Sequence, residues 1–102
     1  MYELTPENDI TEIMKQDCYL FFYFTASWCG PCKQISPYIE ELSNKYTHIQ
    51  FYKIDIDKNE ELSSTWNIKG VPTFYLLHKT NLINQTSGAN KESILQLVEQ
   101  CK

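Results

Sequence analysis

The sequence contains no arginine, and its nine lysines stand against thirteen acidic residues, which gives a formal net charge of −4. Proteins that bind nucleic acids or phosphate groups use clustered basic charge, and arginine supplies their bidentate contacts. The composition therefore argues against nucleic acid as a partner.

Long apolar runs are absent as well, and no stretch reaches the length of a membrane-spanning helix. The first seven residues, MYELTPE, are acidic and resemble neither a signal peptide nor a transit peptide. We therefore expect an intracellular, cytoplasmic protein with no membrane contact. In a reducing compartment, spaced cysteines are metal ligands or exchanging thiols more often than structural staples.

Glycine and proline are scarce, with three and four residues respectively, and the chain shows no repeat, linker or low-complexity tract. Hydrophobic residues make up 42% of the chain and aromatic residues 14%. A chain of 102 residues with this composition is long enough to bury a core without staples. These observations predict a single domain over residues 1–102.

The hydrophobic pattern alternates between strand and helix periods in the order α β α β α β β α, with residues 1–4 as a short edge strand. Such alternation indicates parallel strands joined by crossover helices and closed by an antiparallel hairpin. Residues 19–25 are apolar on both faces, which is typical of a central strand. The predicted elements are a helix beginning at Thr5-Pro6 and ending near Gln16, strands 19–25 and 49–56, a helix over 32–46, a short helix capped by Asn59 that buries Leu62 and Trp66, strands 73–77 and 82–86 joined by a turn at Thr80-Asn81, and a last helix from Asn90.

Four cysteines occupy positions 18, 29, 32 and 101, and only Cys29 and Cys32 are spaced as a pair. A zinc site would need two further ligands, and neither His48 nor His78 has a partner at ligand spacing. A structural disulfide between Cys29 and Cys32 would close too small a loop to stabilise the fold much. Thiol–disulfide exchange is therefore the favoured interpretation of the pair, with no metal.

The predicted position of this pair, between a strand and a helix, suits redox chemistry. Cys29 falls at the helix start, where unpaired N–H groups and the helix dipole favour a thiolate. The thiolate is the species that attacks a disulfide. Cys32 lies one turn later, within bridging distance, so it can resolve a mixed disulfide formed by Cys29.

The run Trp28-Cys29-Gly30-Pro31-Cys32-Lys33 resembles the active site of the thioredoxin family, and Gly70-Val71-Pro72-Thr73 resembles that family's cis-proline loop. Lys53-Ile54-Asp55-Ile56-Asp57 is similar to the family's third strand, and Gly88-Ala89 to the turn before its last helix. The resemblance covers the whole chain and includes all three glycines. It implies an α/β thioredoxin fold, with a central mixed sheet of four to five strands flanked by four helices.

The resemblance also implies roles for individual residues. Cys29 would be the exposed nucleophile and Cys32 the more buried resolving thiol, while Val71 would pair its backbone with a substrate chain and precede a cis peptide bond. The implied substrate-binding surface consists of Trp28, Gly30, Pro31, Val71, Pro72, Gly88 and Ala89.

Two positions are implied to tune the site. Most thioredoxins carry a buried aspartate where this chain has Tyr23, and a phenol is mainly a hydrogen-bond donor at neutral pH. We expect Tyr23 to hydrogen-bond near Cys32 and to slow resolution or alter its pH dependence; plain core packing is the alternative. Lys53 matches a family lysine near the missing carboxylate, with Asp55 as a candidate partner. Cys18 and Cys101 are expected to be passive thiols.

The implied activity is that of a protein disulfide reductase, which serves electron transport and cell redox homeostasis as a monomer. It needs no bound cofactor, acts on disulfide-containing proteins and is recharged by a flavin- and NADPH-dependent thioredoxin reductase. Two alternatives stay open at this point: a specialised electron donor to one peroxidase or reductase, and a protein-binding module in which the cysteines are incidental.

Overall fold

A computed structural model describes residues 1–101 and contains one five-stranded sheet with helices on both sides. The elements are β1 (Tyr2–Glu3), α1 (Ile10–Met14), β2 (Tyr19–Thr25), α2 (Gly30–Lys45), β3 (Ile49–Asp55), α3 (Glu60–Thr65), β4 (Thr73–His78), β5 (Asn81–Ser87) and α4 (Lys91–Val98). The strand order across the sheet is β1-β3-β2-β4-β5.

Strand β2 lies at the centre of the sheet, as its apolar sequence predicts. It pairs in parallel with β3 and antiparallel with β4. Phe21 and Tyr23 point into the core cluster that also contains residues of α2 and α4, whereas Phe22 and Phe24 point into a second cluster against which residues of α1 and α3 pack. Since every residue from 20 to 24 is fully buried, β2 forms a rigid base for the loop that follows it.

The first helix starts later than the sequence predicts. Helix α1 begins at Ile10, and the carboxylate of Asp9 accepts the N–H groups of Thr11 and Glu12. The N–H and hydroxyl of Thr5 instead donate to Asn8 Oδ1, at 2.8 and 3.2 Å. The prediction of a helix start at Thr5-Pro6 was therefore wrong, because Asn8 closes a local turn there before the helix begins.

The hairpin between β4 and β5 turns one residue earlier than predicted, at Lys79 and Thr80. Both residues have positive φ, 50° and 70° respectively, and Asn81 is already paired with His78. Positive φ at two consecutive positions is the geometry that joins strands with the right twist, and it normally uses asparagine or glycine. Because neither residue stands at the two turn positions, the sequence predicted the turn but placed it one residue too late.

Asn59 stands at the N-cap position of α3, but its side chain makes no capping bond. Its Nδ2 donates instead to the carbonyls of Asp55 and Leu4, at 3.0 and 3.4 Å. Leu62 and Trp66 are half-buried and pack against the second core cluster, so the prediction that this helix buries them was too strong. Asn59 thus ties the N-terminal segment to the end of β3.

Among residues 1–101, no helix is both long and apolar enough to span a bilayer.

Candidate active site

Cys29 and Cys32 lie where the chain leaves the carboxyl end of β2 and enters α2. The two residues form a disulfide, and their Cα atoms are 5.2 Å apart. Cys29 is the N-cap of α2, at the helix start that the sequence predicts. Both are buried, with 4% exposure for Cys29 and 1% for Cys32, so the predicted exposed nucleophile is only slightly more accessible than its partner in this disulfide form.

The start of α2 provides an electrostatic environment suited to a thiolate at Cys29. Its Sγ accepts the N–H of Cys32 at 3.2 Å. Pro31, one of the first residues of the helix, has no N–H of its own and its fixed φ suits a helix start. The remaining N–H groups of a first helical turn favour negative charge, which promotes the reactive form of a cysteine placed there.

Two further segments that are distant in sequence meet beside the disulfide. The carbonyl oxygen of Val71 lies 3.8 Å from Cys29 Sγ, and the Val71-Pro72 peptide bond is cis. The N–H of Gly88 donates to the Pro72 carbonyl at 2.9 Å, and Gly88 has a φ of +91°, where other residues are strained. Ala89 follows Gly88 and is exposed. Val71 therefore lies against Cys29, and Gly88 is bonded to the loop that carries Val71.

Trp28 lies next to the disulfide and exposes 66% of its surface. Its Nε1 donates to Asp57 Oδ2 at 2.8 Å, which holds the indole in place. From the sequence, Asp57 was predicted only as part of a strand motif, with no role at the site. Its position just after a strand beside β2 was a usable signal, because the carboxyl ends of parallel strands meet at one edge of the sheet.

Tyr23 hydrogen-bonds to the backbone of Cys32, as predicted from the sequence. Its Oη donates to the Cys32 carbonyl at 3.0 Å and lies 2.8 Å from Ser36 Oγ. The ring is fully buried and stacks on Phe74 with a centroid distance of 5.2 Å. Packing and hydrogen bonding therefore coexist at this position. Ser36 is a residue of the site that the sequence analysis did not identify.

Lys53 is in register with Tyr23 on the neighbouring strand and is half-buried. Within residues 1–101 it forms no ion pair. Asp55, the candidate partner of Lys53, instead accepts the N–H of Asp57 through Oδ1 at 2.9 Å. A short turn after β3 occupies that carboxylate instead.

The two remaining cysteines are free and lie apart from the disulfide. Burial raises the pKa of Cys101 to about 11 and, together with the charge of Asp17, raises the pKa of Cys18. A raised pKa keeps a thiol protonated and unreactive near neutral pH. In the described part of the chain, no three potential ligands converge on a metal site.

A wide groove of about 980 Å³ continues from the disulfide surface between the loop before β4 and strand β5. Gly70, Val71, Pro72 and Gly88 line its end nearest the cysteines. Trp66, Tyr75 and Leu82 extend it with apolar surface. The groove thus offers an open, largely uncharged surface next to the cis-proline loop.

Comparison with known proteins agrees with this geometry. The thioredoxin family profile matches residues 1–100. Thioredoxin 1 of Plasmodium falciparum is 35% identical over 97 residues, which cover 95% of this chain and 93% of that protein. The solved structure of Fasciola hepatica thioredoxin matches with a TM-score of 0.93 at 28% identity, with 100% of both chains covered.

Some relatives are much longer than this chain. The TPR repeat-containing thioredoxin TDX of Arabidopsis thaliana is 40% identical over 81 residues, which are 79% of this chain but 21% of that protein. Such a match relates this chain to one part of that longer protein and not to its whole length.

The thioredoxin family profile covers nearly the whole chain, including the residues of the bonded cysteine pair and of the cis-proline loop beside it. A redox-active Cys-x-x-Cys pair in this setting supports a protein disulfide oxidoreductase. The chain belongs to the thioredoxin family.

Proposed function

We propose that this chain reduces disulfide bonds of other proteins, with Cys29 as the attacking thiolate and Cys32 as the resolving thiol. The observation that carries the assignment is the Cys29–Cys32 disulfide at the N-terminus of α2. Cys29 is the more accessible of the two sulfurs and accepts the Cys32 N–H. Those two properties are what an attacking thiolate requires.

The reaction consists of two exchange steps. The Cys29 thiolate attacks one sulfur of the substrate disulfide, forms a mixed disulfide and releases the other substrate sulfur as a thiolate. Cys32 then loses its proton and attacks Cys29 Sγ, which releases the second substrate sulfur and closes the Cys29–Cys32 disulfide. Two electrons pass from the cysteine pair to the substrate, so the reaction needs no bound cofactor.

The substrate chain lies on the surface formed by Trp28, Gly30, Pro31, Val71, Pro72, Gly88 and Ala89. The carbonyl of Val71, beside Cys29 Sγ, would accept a backbone N–H of that chain. The indole of Trp28 offers apolar contact area in an orientation fixed by Asp57.

A thioredoxin reductase that uses flavin and NADPH returns the pair to the dithiol. We place the chain in the cytoplasm as a monomer, in electron transport and cell redox homeostasis. Lys53, in register with Tyr23, is proposed to tune the site through its charge.

The test is the reduction of insulin disulfides with dithiothreitol as electron source. Wild type accelerates the reaction, Cys29→Ser abolishes the acceleration, and Cys32→Ser accumulates a mixed disulfide that mass spectrometry detects. Cys18→Ser is the matched control and keeps full activity, because Cys18 takes no part in the exchange.

Two other outcomes, one in this assay and one in a test of biological activity, select the alternatives. Wild type that is no faster than dithiothreitol alone would point to a donor specialised for one peroxidase or reductase. A Cys29→Ser variant that retains full biological activity would point to a protein-binding module. Either result would overturn general disulfide reduction as the function.

A further inference from the structure

The backbone carbonyl of Cys32 accepts hydrogen bonds from two hydroxyl groups that belong to different elements. Ser36 Oγ donates to it at 2.8 Å from within α2, and Tyr23 Oη reaches it at 3.0 Å from β2. The two hydroxyl oxygens are 2.8 Å apart. We call this arrangement of the Tyr23 hydroxyl, the Ser36 hydroxyl and the Cys32 carbonyl the hydroxyl brace.

The protons of the brace can be counted. Each hydroxyl has one proton to donate. When Ser36 donates to the Cys32 carbonyl, Tyr23 donates either to the same carbonyl or to Ser36 Oγ. In both arrangements the Tyr23 proton is directed at α2, and water does not compete because Tyr23 has no exposed surface.

A proline next to the brace explains why this turn of the helix benefits from it. Pro37 lies inside α2 and has no N–H to donate to the carbonyl of Lys33, four residues earlier. The turn that carries the resolving cysteine therefore lacks one helical hydrogen bond just after Cys32. The brace connects this turn to β2, the most deeply buried strand of the sheet.

We infer that Ser36 and Tyr23 act together as positioning residues for the resolving step. This inference rests on the proposed function. Cys32 must approach Cys29 Sγ in line with the departing substrate sulfur, and such alignment is sensitive to small displacements of the attacking group. By holding the Cys32 peptide against β2, the brace keeps the resolving sulfur aligned while a substrate occupies Cys29.

Stopped-flow reaction of the reduced protein with dithiobis-nitrobenzoate separates the two steps. Cys29 attacks this aromatic disulfide and releases one coloured thionitrobenzoate anion, at a rate proportional to reagent concentration. Cys32 then attacks the Cys29 mixed disulfide and releases the second anion, at a rate that does not depend on the reagent. The second phase therefore reports the resolving step alone.

We expect Ser36→Ala and Tyr23→Phe each to slow the second phase about 3- to 10-fold, and to leave the first phase within about twofold of wild type. The double variant is no slower than the slower single variant, because the two hydroxyls serve one carbonyl. Ser36→Thr keeps the hydroxyl and restores the rate.

The chain offers matched controls for both substitutions. Ser43 Oγ donates to the Glu40 carbonyl at 2.7 Å in the same helix, and Tyr52 Oη accepts a hydrogen bond from Gln16 Nε2 at 3.1 Å. Ser43→Ala and Tyr52→Phe remove the same chemical groups far from Cys32 in the chain, so both phases stay at the wild-type rate.

The pH profile of the second phase distinguishes positioning from proton transfer. If the residues act by positioning, the second phase of each variant is slower than that of wild type by the same factor at every pH. A shifted midpoint would overturn the inference, as would an unchanged second phase, additive effects in the double variant, or equal slowing of both phases. If wild type shows no second phase, the proposed two-cysteine cycle fails. If wild type shows a second phase and the variants show it at the same rate, the cycle stands and only the inference about the brace fails.

Discussion

At the scale of single residues, Cys101 is a thiol that the fold keeps protonated. Cys101 follows α4 and is 5% exposed. Burial raises the pKa of its thiol from 9.0 to about 11. The folded state therefore binds this proton more tightly than the unfolded state does. The resulting stabilisation is complete below about pH 9 and is lost as pH rises toward about 11.

Cys101→Val is expected to lack this pH-dependent component. Between about pH 8 and about pH 10, the free energy of unfolding falls less in the variant than in wild type. Urea unfolding of both oxidised proteins at the two pH values measures the difference, and Cys18 and Tyr38, whose pKa values are also raised, contribute equally to both. Identical pH dependence in the two proteins would contradict the prediction.

The hydrogen bond between Trp28 and Asp57 gives a second prediction at this scale. Asp57→Ala removes the acceptor that orients the exposed indole. We expect kcat/KM for insulin to fall about 2- to 5-fold, since the bond is solvent-accessible and its net contribution is modest. Asp57→Asn retains an acceptor oxygen and stays near wild type, and Glu60→Ala is the control for loss of a nearby exposed acid. A larger loss in Glu60→Ala would refute the assignment to the indole.

At the scale of elements, the β4–β5 turn carries strain that a single substitution relieves. Thr80 has a φ of 70°, a region in which β-branched residues are outliers. Thr80→Gly is expected to stabilise the protein by about 0.5–1 kcal/mol, because the relief of strain exceeds the entropic cost of glycine. Thr11→Gly, in the exposed helix α1, destabilises by about 0.3 kcal/mol, because threonine is itself a weak helix former. Chemical unfolding measures both, and destabilisation by Thr80→Gly would count against the strain.

The same substitution is expected to have different effects at the two N-cap asparagines, Asn59 and Asn90. Asn59→Asp removes the Nδ2 donor that serves the carbonyls of Asp55 and Leu4, and it buries a carboxylate. We expect a loss of about 1–3 kcal/mol in unfolding free energy. Asn90 accepts the Ser93 N–H through Oδ1, which an aspartate also does, so Asn90→Asp is nearly neutral. Equal effects of the two substitutions would show that Asn59 acts as an ordinary cap.

At the scale of the whole molecule, the exposed large apolar residues are dispersed. Among residues 1–101 they are Tyr2 on β1, Trp28 at the disulfide, and Leu82 and Ile83 on β5 at the opposite edge of the sheet from β1. Large contiguous apolar patches on a protein surface mark association sites. Together with the net charge of −4, this dispersion favours a monomer.

Sedimentation equilibrium is therefore expected to give a mass of 12.0 kDa for the oxidised protein. The edge strand β5 is the place where a dimer would form if the expectation fails, since residues 81–90 carry no charge. A doubled mass in wild type that Ile83→Lys returns to 12.0 kDa would replace the monomer with a dimer paired through that edge.

The sequence by itself determined the elements whose signals are local. The apolar run of β2, the helical spacing in α2 and the Cys29–Cys32 pair can be recognised because each depends on residues close together in the chain. Helix starts and turns were less predictable, since Asp9 competes with Thr5 as a cap and the β4–β5 turn uses Lys79 and Thr80 rather than its usual residues.

Only the tertiary structure decided the partners of the polar groups around the site. Trp28 meets Asp57 across 29 positions of sequence, and Tyr23 meets Ser36 across 13. Their hydrogen bonds depend on how β2, β3 and α2 pack, and no local pattern encodes that packing. The reactive pair and the approach of Tyr23 to Cys32 are therefore predictable from the sequence, whereas the bonds of Tyr23 to Ser36 and of Trp28 to Asp57 are known only from the packed structure.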